Sequence, residues 1–161
     1  MKTRAVNICA LVSSLIAAGS VLAEGVEGTG RPHPLLPVAL PAADRKWIDL
    51  DPSGAPGVKV ADLWGDHQAG PFGAIFRLPA GFSAPLHTHT HDMKLVIVSG
   101  TYIQGPEGKP EFRLGPGSYL MQPGGEYRHT TKCDQASECI FFVESDGAFD
   151  LRPVGTTPKR E

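Results

Sequence analysis

The sequence is short of the features that several functional classes require. Past the first two dozen residues it has no long apolar run and no convincing helical period over a helix-sized window, so a mainly helical core has nothing to build on. It has no basic stretch beyond the short Pro158-Lys159-Arg160 tail, and 15 basic against 17 acidic residues leave a formal charge of −2. That balance argues against nucleic acid or an anionic membrane surface as a partner. Cysteine is scarce as well. Of the three, Cys9 stands alone near the start, and Cys133 and Cys139 have no second pair of soft ligands nearby.

Glycine and proline are abundant instead. Nineteen Gly and fifteen Pro are spread along 161 residues rather than clustered, as in a chain of many short strands joined by tight turns. The length suits one domain. At the N-terminus, Lys2 and Arg4 precede the uncharged stretch Ile8–Leu22, and Val21-Leu22-Ala23 presents small residues at the cleavage positions. Residues 1–23 therefore read as a signal peptide. The apolar stretch of 15 residues is shorter than the roughly 20 needed to span a bilayer. The expectation is an exported protein, periplasmic or secreted, with no membrane span after cleavage and a formal charge of −4. In such a compartment the surviving pair Cys133 and Cys139 favours a disulfide over free thiols or a soft-metal site.

Residues 24–45 read as an extended arm, 46–155 as the folded domain and 156–161 as a tail. Within the domain, short apolar runs alternate with breakers every eight to twelve residues. The candidate strands are Trp47–Leu50, Val58–Trp64, Phe72–Leu78, Ser83–His89, Met93–Ile103, Glu111–Leu114, Ser118–Gln122, Tyr127–Cys133, Cys139–Glu144 and Phe149–Pro153. The fold class is all-β, an antiparallel sandwich or barrel.

The segment Gly81–Met93 carries the chemistry. In a strand, residues two apart share a face, so His87 and His89 can aim two imidazoles at one point. His91 continues the spacing but precedes a turn at Asp92. Neutral imidazole suits Fe, Mn, Zn, Ni or Cu. Surface histidines on an edge strand are the plain alternative. Gly81, His87, His89 and Gly100 resemble the first cupin motif, and Gly117, Pro123, Gly125 and His129 resemble the second. Within the cupins the chain is similar to small exported members of undefined function. The resemblance implies a single antiparallel jelly-roll β-barrel holding a divalent transition metal on His87, His89 and His129, a small-molecule ligand or substrate, and a homodimer.

Two departures from the motifs matter. Met93 occupies the position of the usual Glu; its thioether is a weak neutral ligand that suits soft metals but reads first as core, with Asp92 as a substitute carboxylate only if the strand shifts face. One extra residue separates Gly125 from His129. A bulge near Glu126-Tyr127 would restore the aim of His129; without one, Arg128 would point inward. Tyr102, Gln104, Tyr119, Gln122 and Tyr127 are the possible polar residues of a pocket. His67 follows a turn and is expected to be solvated. A binding or sensing module is the first functional reading, because the missing Glu removes the obvious acid or base. An Fe(II)-dependent three-His dioxygenase acting on a small organic substrate is the second.

Overall fold

The computed structural model describes residues 36–51 and 55–155. The expected signal peptide and C-terminal tail lie outside the described residues, as does most of the arm. The elements below all belong to the unit Ala39–Glu161. After a 3₁₀ turn at Ala42–Asp44 come eleven strands: β1 Ile48–Asp49, β2 Lys59–Gly65, β3 Phe72–Leu78, β4 Ser83–Thr88, β5 Met93–Ser99, β6 Tyr102–Pro106, β7 Phe112–Leu114, β8 Tyr119–Gln122, β9 His129–Cys133, β10 Cys139–Ser145 and β11 Arg152–Pro153. No helix among the described residues is long and apolar enough to cross a membrane.

The strands form two antiparallel sheets. One runs β1-β2-β3-β10-β5-β8 and the other β11-β4-β9-β6-β7, a jelly-roll arrangement in which sequence neighbours repeatedly fall in opposite sheets. Strand alternation explains which residues are inside. On β5, Met93, Leu95 and Ile97 are buried while Lys94, Val96 and Val98 are exposed; on β10, Cys139, Phe141, Val143 and Ser145 are buried. With Val58, Val60, Phe72 and Phe76 these side chains make the core, and Phe76 stacks on Phe141 at 5.8 Å between ring centroids.

Two details position the site. The first is a register irregularity between β4 and β9. Ala84 pairs with Thr131 and His87 with His129, so β4 spends one residue more than β9 over that stretch. The extra residue falls at Pro85-Leu86, where proline has no N–H to give the ladder. It resets the alternation so that Ala84 and His87, three apart, are both buried. The second is the disulfide between Cys133 and Cys139. It joins the last residue of β9 to the first of β10 and so ties one sheet to the other.

The expected strands Phe72–Leu78 and Ser118–Gln122 are found almost unchanged. Met93–Ile103 is corrected: it is two strands in different sheets, β5 and β6, divided at Gly100. Gly100 has φ 75°, and a Cβ there would lie 2.2 Å from the carbonyl oxygen of Glu138. Glycine alone fits both the left-handed backbone and that close approach. Gly100→Ala is expected to lower stability by more than about 2 kcal/mol in denaturant unfolding; an unchanged midpoint would show that this corner can relax.

Candidate metal centre

His87 lies on β4, His89 one residue past its end, and His129 opens β9. The first and third are direct cross-strand partners, and such partners face the same side. His87, His89 and His129 are 1%, 5% and 0% exposed. Their ring centroids are 4.9 Å apart for His87 and His89, 4.2 Å for His87 and His129, and 5.3 Å for His89 and His129. One ligand atom from each lies within 4.8 Å of the others.

Each imidazole is held by its Nδ1. His87 donates to the Pro85 carbonyl at 2.6 Å, His89 to the Asp150 carbonyl, and His129 to the Tyr127 carbonyl at 3.4 Å. A carbonyl oxygen only accepts, so Nδ1 carries the proton in all three and Nε2 keeps its lone pair. The Nε2 of His129 is buried without a hydrogen-bond partner. Three neutral imidazoles with free Nε2 atoms and backbone-fixed tautomers are the donor set that a divalent transition metal takes, and the residues fit such an ion. Tyr127 stacks on His129 at 5.2 Å, and Phe149 packs on His89 at 5.4 Å.

Burial favours the neutral rings. It lowers the pKa of His87 against an opposing hydrogen bond to Pro85. Burial brings His89 down to about 4, offset in part by the Asp150 carbonyl. It brings His129 down to about 3, helped by repulsion from His87 and His89. The rings are therefore ready to ligate at neutral pH without first losing a proton.

The extra residue before His129 is absorbed differently from the expected bulge at Glu126-Tyr127. It lies in the turn ahead of β9, while the irregular pairing is on β4. Arg128 points out and pairs with Glu107 at 3.7 Å. Met93 is buried and lines the cavity beside the histidines, as core. Neither His91 nor Asp92 joins the cluster. His91 is exposed and lies over Gly147, where a Cβ would come within 2.4 Å of its ring. Asp92 is exposed and accepts the Gly124 N–H at 2.7 Å, fastening two loops. Tyr119 is 58% exposed and faces away from the pocket.

The cavity lined by His87 and His89 measures about 70 Å³, and Tyr102, Gln122 and Thr131 supply its other polar lining. Burial pushes the Tyr102 phenol up to about 12, so it stays protonated. His67, expected in solvent, is 3% exposed and its Nδ1 donates to the Asp62 carboxylate at 2.9 Å. It groups with Asp62 and Asp66, but both of these carboxylates are exposed. Sequence reasoning also missed Asp150 and Thr131. Thr131 was accessible, two residues beyond His129 on the same strand face. Asp150 was not, because it meets His89 across 61 positions of chain.

The lowered imidazole pKa values fix a sign for metal-free protein. Unfolding returns each ring to its ordinary value near 6.5, so the unfolded chain binds more protons below that pH. After chelation, stability is expected to be full above about 6.5 and to fall with decreasing pH, through about 4 for His89 and about 3 for His129. Thermal melts from pH 7.5 to 4 check this; a flat midpoint would contradict it.

Comparison with known proteins agrees with this fold. Dimethylsulfoniopropionate lyase DddQ of Ruegeria pomeroyi is 29% identical over 100 residues, covering 58% of this chain and 49% of the relative. The chain thus spans about half the length of that curated relative. The structure of the same lyase aligns with a TM-score of 0.55 at 25% identity, covering 74% of this chain and 64% of the lyase. The polyketide cyclase RemF of Streptomyces resistomycificus gives 0.63 at 18% identity, covering 76% and 89%. An RmlC-like cupin of Ralstonia eutropha gives 0.56 at 22%, covering 71% of each chain. Residues 38–159 match the family described as a domain of unknown function, DUF4437; the chain belongs to that family, and its jelly roll is the fold of the cupin structure above.

Proposed function

We propose that this chain is an exported cupin that binds a small molecule in its barrel through a divalent transition metal on His87, His89 and His129. The observation that carries the reading is the free Nε2 of His129, buried without a partner and set against two further imidazoles with fixed tautomers. A buried polar atom left in this state is costly unless something fills the site. The bound ion would act as a Lewis acid toward an oxygen of the ligand. Fe, Mn, Zn, Ni and Cu all suit the donors.

The second reading is an enzyme, either the Fe(II)-dependent three-His dioxygenase or a lyase. The ligand set supports the first, and the name of the curated relative supports the second. Against both stands the cavity lining. Among its described residues there is no carboxylate and no imidazole other than the ligands. Binding without turnover needs no such base.

Metal analysis of untagged protein from its export compartment tests the assignment. The parent is expected to carry stoichiometric metal, and His87→Ala and His129→Ala to lose at least about tenfold of it. Undiminished metal in both variants would remove the site. Metal-dependent oxygen uptake with a diketone, a thiol or a phenol would move the assignment to the oxygenase.

The same proposal includes a homodimer. Val96 and Val98 on β5 and Tyr119 and Met121 on β8 are 40–58% exposed on one outward face, and β8 is the outer strand of its sheet. A paired copy would cover such an edge. Light scattering is expected to give a dimer mass; one monomeric peak across a range of concentrations would overturn it.

A further inference from the structure

A chain of buried hydrogen bonds ends at the metal cavity without a final partner. The Tyr102 hydroxyl contacts Thr131 Oγ1 at 3.2 Å and donates to Gln104 Oε1 at 3.0 Å. Gln104 Nε2 then donates to Gln122 Oε1 at 3.1 Å. The remaining group, Gln122 Nε2, is buried with no hydrogen-bond partner. Gln122 is 1% exposed, lines the cavity with His87 and His89, and is the cross-strand partner of Met93. It therefore sits on the neighbouring strand, opposite the position from which the motif carboxylate is missing.

The direction of the chain decides what Gln122 presents. Its oxygen is taken by Gln104, so two N–H groups are left for the cavity. A buried carboxamide without a partner for its N–H groups has lost its hydration and gained nothing in return. An acceptor entering the cavity would restore the balance.

Charge narrows the class of that acceptor. Three neutral imidazoles leave the full double charge of a divalent ion in place, and the described residues lining the cavity include no carboxylate to offset it. The rest of the lining is apolar, with Phe76, Leu95 and Phe141 among it. An uncompensated cation in such surroundings calls for an anion. At about 70 Å³ the cavity takes only the small end of a ligand. A neighbouring hollow of about 420 Å³ shares Leu50, Phe82, Phe149 and Leu151 with it and has room for an apolar remainder.

We propose that Gln122 is a ligand-positioning residue whose carboxamide N–H donates to an oxygen of a small anionic ligand, a carboxylate or an enolate, held on the metal. The inference rests on the metal reading above. Tyr102, Gln104 and Thr131 lock the carboxamide so that its N–H groups face the ligand, and the ion and Gln122 grip the anionic end from two sides.

Formate binding to the Co(II)-loaded full chain, followed by the visible absorbance of cobalt, tests this. The parent is expected to take up one Co(II) and to bind formate. Gln122→Met and Gln122→Glu are expected to keep the cobalt and to bind formate at least about tenfold more weakly. The Glu variant can still accept from Gln104 and so checks that the core is intact, but its charge also opposes formate, so the missing donor is read from the neutral Gln122→Met. Formate affinity within about twofold of the parent in both variants would overturn the inference and leave the metal reading intact. Loss of cobalt from Gln122→Met would also overturn it, making the carboxamide a metal ligand. A parent that takes up no cobalt would remove the metal reading itself, and this inference with it.

Discussion

The pairing of β4 with β9 governs everything at the centre of this protein. His87 and His129 come from segments about forty residues apart, yet they are direct partners across one antiparallel ladder. Shifting that register by one residue would turn His129 outward and bring Arg128 or Thr130 to the cavity. Two features hold it in place. The irregularity at Pro85-Leu86 sets the phase of His87, and the disulfide fastens the far end of β9 to the opposite sheet. Tyr127, just before β9, adds its carbonyl and its stacked ring to His129.

Around this ladder the protein holds its imidazoles by main chain. The three Nδ1 atoms meet the carbonyls of Pro85, Asp150 and Tyr127, where many metal sites use a carboxylate. A carbonyl fixes the tautomer without adding charge. Together with the absent motif Glu, this leaves the described cavity lining without negative charge. The loop carrying Asp150 is secured in turn. The carboxylate of Asp150 accepts from Thr90 N at 2.7 Å and pairs with Arg152 at 2.8 Å, while Phe149 N donates to the His67 carbonyl at 2.7 Å. His67 and Asp62 therefore support the site from behind, although neither lines the inner cavity.

Much of this was legible in the residues. The spacing of His87 and His89, two apart in a strand-rich chain, is a local property that any extended backbone converts into a shared face. The breakers Pro79-Ala80-Gly81 and Gly115-Pro116-Gly117 delimit strands for local reasons too. Gly100 was recognised as a motif position but not as a strand boundary. The apolar run Met93–Ile103 continues through it, and only the approach of Glu138 from another part of the fold forces the turn. His67 was misjudged for a similar reason. Its neighbours Gly65 and Asp66 signal a turn, but burial came from Phe72 and the Asp62 carboxylate.

The sequence by itself determined an all-β chain, two paired imidazoles on one strand face, a pair of cysteines placed to join neighbouring strands, and the lack of a carboxylate at the motif position. These follow from spacing and residue type, which act over a few residues. Tertiary structure alone decided whether His129 would face His87, because that depends on how β4 and β9 align. It alone brought the Asp150 carbonyl to His89, and it assembled Tyr102, Gln104 and Gln122 into one buried chain from two strands in different sheets. Contacts between distant segments are set by packing and register, and no local pattern in either segment records its partner. The histidines of the two motifs take, in the folded chain, the geometry of three converging imidazoles.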